Sequence, residues 1–172
     1  MLFKGLDASC SGALVMQASV TYKFSQRLNA PAKVAYRWCT DYQPSDLSLM
    51  HEKGQRRIRW MTSDTVILRE VVSYNGKRTK KVKLVKLDPT HLSWYNIQLS
   101  GPNKHSAFLY RIVPEGKNRS RLDFTGLLVV YSQTALTNRK LGEIARTERR
   151  YDSNAWKHLA KALYNQTIRI GR

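Results

Sequence analysis

Few side chains in this sequence stand where they could do chemistry. Glu148 recurs with Ile144, Tyr151, Ala155, Leu159, Ala162 and Gln166 at steps of three and four, which sets a carboxylate on the apolar stripe of a helix. Glu70 shares an alternating face with Leu68 and Val72 in a β-branched run. A carboxylate in apolar surroundings resists ionisation, so its pKa rises and it can serve as an acid or base. The plainer reading of Glu148 is an ion pair with a nearby arginine at a rim. Arg69 and Arg111 are the candidates for gripping an anionic head group, and both depend on strand register. His51, His91, His105 and His158 fall on different elements, and none stands beside a Ser or Cys in a nucleophile arrangement. Neither Cys10 nor Cys39 has a second Cys or a His at metal-ligand spacing, and no Gly-rich phosphate loop is present. The sequence therefore implies no metal and no cofactor.

The elements that must position these groups can be read in order. Residues 1–17 have no sustained period and read as a tail, which leaves 18–172 as one domain. Val20, Tyr22 and Phe24 alternate with Thr21, Lys23 and Ser25 in a strand over Ala18–Leu28. Asn29 and Pro31 signal a helix start, and Val34, Ala35, Trp38 and Cys39 take its inward side. Pro44-Ser45 opens a second short helix with Leu47 and Met50 inward. Alternating runs follow at 55–62, 65–73, 77–87, 92–99, 107–113 and 121–131. Asn75-Gly76 marks a hairpin between the second and third of them. In the run 77–87, Val82 and Leu84 alternate with Lys81, Lys83 and Lys86, so the lysines are expected outward, with a bulge near Leu84 and Val85. Strands joined by short turns make an antiparallel meander. The chain then ends in a long amphipathic helix from about Thr134 to Gln166, with Gly142 marking a bend or its true start.

Composition narrows the partners. The chain has 172 residues, of which 42% are hydrophobic and 24% charged, an ordinary balance for a folded domain. Thirty Lys and Arg face twelve Asp and Glu, for a net charge of +18. Such a field attracts nucleic acid, ribosomes or anionic membrane surfaces, unless the whole proteome is basic. No run approaches the ~20 apolar residues of a membrane span, and two cysteines without a disulfide pattern fit a reduced, cytoplasmic protein. The basic run Lys77-Arg78-Thr79-Lys80-Lys81 lacks interleaved aromatics, which leaves weak phosphate contact with RNA or ribosomes rather than base stacking.

The order is one strand, two short helices, a run of antiparallel strands and one long terminal helix. It resembles the α+β helix-grip fold of the START superfamily, also called SRPBCC. That superfamily includes pollen-allergen-like, polyketide cyclase/dehydrase and coenzyme-Q-binding proteins. The local match is Leu28-Asn29-Ala30-Pro31-Ala32-Lys33-Val34-Ala35-Tyr36 followed by Asp41-Tyr42, which is similar to the family's entry into its first helix. The resemblance implies an apolar cavity between a curved sheet and the terminal helix, holding lipids, quinones or polyketides in relatives. Trp60, Leu68, Trp94, Phe108, Tyr110, Leu122 and Phe124 would line it from the strands. Ile144, Glu148, Tyr151 and Ala155 would line it from the helix. A site of ~300 Å³ or more is expected for such ligands. Binding of a hydrophobic or amphipathic small molecule, as carrier or chaperone, is the default expectation. A cyclase-like or hydratase-like enzyme in the same cavity, or an RNA-contacting module, is the alternative.

Overall fold

The computed structural model describes residues 15–170 apart from 51 and 75. Most of the tail, Cys10 and His51 therefore lie outside the described residues. The elements are β1 (Met16–Leu28), α1 (Ala32–Thr40), α2 (Asp46–Leu49), β2 (Gly54–Trp60), β3 (Thr65–Tyr74), β4 (Lys77–Asp88), β5 (Ser93–Ser100), β6 (Ala107–Pro114), β7 (Ser120–Ser132) and α3 (Asn138–Ile170). The strands form one antiparallel sheet in the order β1-β7-β6-β5-β4-β3-β2, so the first strand closes against the last. All other neighbours are consecutive hairpins, as an antiparallel meander requires.

Period-two alternation decides which face is covered. Tyr22, Phe24 and Leu28 of β1, Phe108 and Ile112 of β6, and Leu122, Phe124 and Leu128 of β7 are all buried on one face. The helix α3, about 50 Å long at 1.5 Å per residue, lies on that face. Its first turn is capped by Thr137, whose Oγ1 accepts the Lys140 amide at 3.2 Å, so the helix begins before Gly142. The entry to α1 is set by Pro31 rather than by Asn29: Pro31 is the cap residue and its carbonyl accepts the Ala35 amide at 2.9 Å. Ser120 Oγ donates to the Ala30 carbonyl at 2.9 Å in the buried interior, which ties this corner to β7.

Two expectations about β4 reverse. The register shift lies between Val82 and Lys83, not at Leu84 and Val85. Leu68 pairs with Lys83 and Glu70 with Lys81, and Leu68 and Glu70 are buried on the inner face. Lys81 and Lys83 therefore point inward, while Val82 and Leu84 face out. A slip of one position exchanges the two faces of a strand, and buried carboxylates here compensate the inward lysines.

Candidate functional site

Between the inner sheet face and α3 lies a cavity of about 180 Å³. Its apolar wall is an aromatic cluster. Trp94 and Tyr110, cross-strand partners on β5 and β6, stack at 4.9 Å with ring planes 4° apart. Trp156 of α3 closes on them at 6.3 Å from Trp94 and 5.7 Å from Tyr110. Leu68, Phe108, Ala155 and Leu159 extend this wall.

The same lining carries ionisable groups from α2, β2, β4 and α3. Asp152 of α3 receives a hydrogen bond from the Tyr22 hydroxyl at 2.5 Å. Gly126, paired with Tyr22 across β1 and β7, gives that ring its room, since a Cβ there would stand 2.7 Å from Tyr22 Cζ. Burial pushes the Asp152 carboxyl above its ordinary range, while the Tyr22 hydrogen bond and the charges of Lys83 and Lys81 pull it back. Glu148, one helical turn earlier, is likewise pushed up by burial and by Asp152, with Lys81 opposing. The Lys81 ammonium is pushed down by burial and by neighbouring Lys83.

Glu70 sits behind these groups and fixes two cations. Its Oε1 accepts Arg56 Nε at 2.9 Å and its Oε2 stands 2.8 Å from Lys83 Nζ. Arg56 also reaches Asp46 of α2 at 2.8 Å. Burial pushes Glu70 up, but Lys83 and Arg56 outweigh it and hold the carboxyl at about 2. Glu70 is thus a permanent anion that orders its neighbours, not the proton donor that its apolar strand neighbours implied.

Three further features complete the site. Asn96 Nδ2 donates to the Tyr110 hydroxyl at 3.2 Å, and its buried Oδ1 has no partner among the described residues. Such an orphaned acceptor in a cavity wall is a place for a ligand donor. At the rim, the Tyr151 hydroxyl donates to Glu52 Oε1 at 2.6 Å, strapping α3 to the segment after α2. Tyr42, also in the wall, holds φ at 45°, a costly backbone for a bulky residue.

Of the residues singled out in the sequence, Leu68, Trp94, Phe108, Tyr110, Glu148, Tyr151 and Ala155 meet around the cavity. The others stand elsewhere. Trp60 has the inward parity but lies at the end of edge strand β2, where it is 47% exposed. Leu122 and Phe124 are sealed in the core behind the wall, and Ile144 packs against the Phe108–Phe124 cluster beyond the cavity. Arg69 and Arg111 face out and are exposed, so Arg56, Lys81 and Lys83 are the inward cations. The residues that sequence reasoning missed are Asp152, Trp156, Tyr22, Asn96 and the two lysines. Asp152, Trp156, Leu159 and Leu163 form a four-three-four series whose stripe runs one position away from the one drawn through Tyr151.

No family model and no curated protein sequence matches the chain. Solved structures do. The Zhui aromatase/cyclase from a Streptomyces species superposes with a TM-score of 0.68 at 15% identity, over 90% of this chain and 97% of that one. A START superfamily protein from Mycobacterium smegmatis gives 0.62 at 16% identity, over 87% and 98%. Norcoclaurine synthase from Thalictrum flavum, solved with dopamine and hydroxybenzaldehyde, gives 0.63 at 11% identity, over 96% and 96%. The chain has the helix-grip fold that these structures share. At these identities the likeness concerns the fold, and the chemistry has to be argued from this chain's own cavity. Among the described residues no helix is long and apolar enough to cross a membrane.

Proposed function

We propose that the chain binds a small aromatic molecule bearing polar substituents, with its ring against Trp94, Tyr110 and Trp156 and its polar end at Asp152, Lys81 and Asn96. The observation that carries this reading is a single cavity lined both by an aromatic cluster and by ionisable groups. The orphaned Asn96 oxygen adds a definite requirement for a donor. Volume sets the size. A cavity of about 150 Å³ holds a benzene ring, so about 180 Å³ accepts one ring with substituents or a compact bicycle. It falls below the ~300 Å³ expected for lipids, quinones or longer polyketides. The test is a titration of the folded protein with 1-naphthol and with naphthalene, read by tryptophan fluorescence. The hydroxylated ring binds more tightly, and Asp152→Asn removes about tenfold of that preference by weakening the hydrogen bond to that carboxyl. Equal binding of both rings, unchanged in the variant, would refute the polar half of the reading.

A second reading, proton transfer on the bound ligand, is favoured by one specific arrangement. Glu148 and Asp152, both pushed up by burial, line the same cavity as Lys81, which burial pushes down. Such a set can take a proton from the carbon next to a carbonyl and return it. Deuterium exchange into an aryl ketone in D₂O, lost in Glu148→Gln, would move the assignment from carrier to enzyme.

A further inference from the structure

The outer face of the sheet carries a feature that the cavity does not use. Strand register lines up Ile67, Leu84, Ile97, Ala107 and Leu127 in one row across β3 to β7. Tyr95 and Leu109 pair beside that row on the same face. None of these residues can reach the cavity, and Leu109 is 50% exposed while Tyr95 and Leu127 are both 42% exposed. Scattered apolar residues on a surface are ordinary, but a contiguous row across five strands marks an interaction site.

The rim of this island selects the partner. On the β2–β3 side stand Arg57, Arg59 and Arg69, all exposed, with Arg57 paired to Arg69 and Arg59 to Ile67 across the strands. On the β1 side stands exposed Lys23, paired to Thr125, which in turn lies beside Leu109. The carboxylates of this face, Asp64, Asp88 and Asp123, lie toward the end of the sheet that holds the β2–β3, β4–β5 and β6–β7 turns. Each is already engaged, by Lys86, His91 and Arg121. An aliphatic centre inside a cationic rim complements acyl chains inside an anionic head-group layer. Nucleic acid would exploit the cations but gains little from leucines, since base stacking needs aromatic faces and Tyr95 is the aromatic of the island. A second copy of this chain would bring like-charged rims together.

We infer that the outer face of β3 to β7 is a docking surface for an anionic lipid bilayer, with Leu109 and Leu127 entering the interface and Lys23, Arg57, Arg59 and Arg69 meeting the head groups. The surface lies on the opposite side of the sheet from the cavity, so the two functions are separable.

The test is flotation of the full chain with vesicles of phosphatidylcholine alone and with vesicles containing phosphatidylserine, at physiological salt. The wild type floats with the serine-containing vesicles only. Leu109→Gln with Leu127→Gln lowers partitioning about tenfold, because apolar transfer is lost while the charge is kept. Arg57→Gln with Arg69→Gln lowers it by a similar factor while leaving the apolar island intact. Far-UV circular dichroism and 1-naphthol binding check that each variant is folded, and both sets of substitutions are on exposed positions. Flotation of the leucine variant equal to wild type would overturn the proposal, because charge alone would then carry the attraction. Binding to phosphatidylserine that a short RNA abolishes, with no effect of the leucine variant, would also overturn it and assign the face to nucleic acid.

Discussion

Replacing Glu70 with Gln tests whether the charged interior is structural. Glu70 is 2% exposed, and Arg56 behind it is 9% exposed. The substitution leaves the shape of the side chain and removes the charge that both cations face. Lys83 is partly exposed and can turn toward water, but Arg56 keeps only Asp46 as a charged partner. Breaking a buried pair from one side costs about 3–5 kcal/mol. An independent route gives a similar figure. Holding a carboxyl at about 2 rather than its ordinary 4.5 corresponds to about 3 kcal/mol of stability above the higher value. Because the folded-state value is depressed, this contribution is complete above pH 4.5 and disappears as pH falls toward 2. Urea denaturation at neutral pH should therefore show Glu70→Gln less stable by about 3 kcal/mol, which for a chain of this size lowers Tm by roughly 10 °C. At the acid end of that window the variant and wild type should converge. The double variant Glu70→Leu, Arg56→Met should recover part of the loss, since a matched apolar pair does not leave an uncompensated charge. A loss below about 1 kcal/mol, or a double variant less stable than the single, would refute the reasoning.

Two other substitutions probe the cavity from different sides. Gly126→Ala places a Cβ 2.7 Å from Tyr22 Cζ, so the ring must move and its bond to Asp152 must break. The expected cost is about 1–3 kcal/mol by denaturation, and it should nearly vanish in a Tyr22→Ala background. Ala155→Phe should fill part of the cavity that Ala155 lines, abolishing 1-naphthol binding while changing stability by less than about 3 kcal/mol.

Much of the fold is legible in the sequence because it rests on periodicity and turn chemistry. Every strand is centred where the alternation placed it, and α3 is offset by a few residues because Thr137 rather than Thr134 caps it. The site is less legible for reasons that individual residues explain. On β4 the apolar Val82 and Leu84 drew the inward assignment, but those positions lie on the outer face, and the inner face takes Lys81 and Lys83, the latter paired with the buried Glu70 carboxylate. On α3 the inward face is wide enough to carry both the stripe through Tyr151 and the one through Asp152, and apolarity marks only the first. Asp152 faces inward because Tyr22, distant in sequence, donates to it. Polar residues turned inward are invisible to a rule that sorts faces by hydrophobicity.

The central claim is that an aromatic ligand enters between β5, β6 and α3. The four tryptophans report on it directly: Trp94 and Trp156 face each other across the aromatic wall, Trp38 stands at the cavity with its indole bonded to Gln166, and Trp60 is exposed on β2. An indole ¹H–¹⁵N spectrum recorded during titration with 1-naphthol should show saturable shifts at Trp94 and Trp156 and none at Trp60. Shifts that grow without saturation, or that move Trp60 together with Trp94 and Trp156, would contradict a defined cavity site.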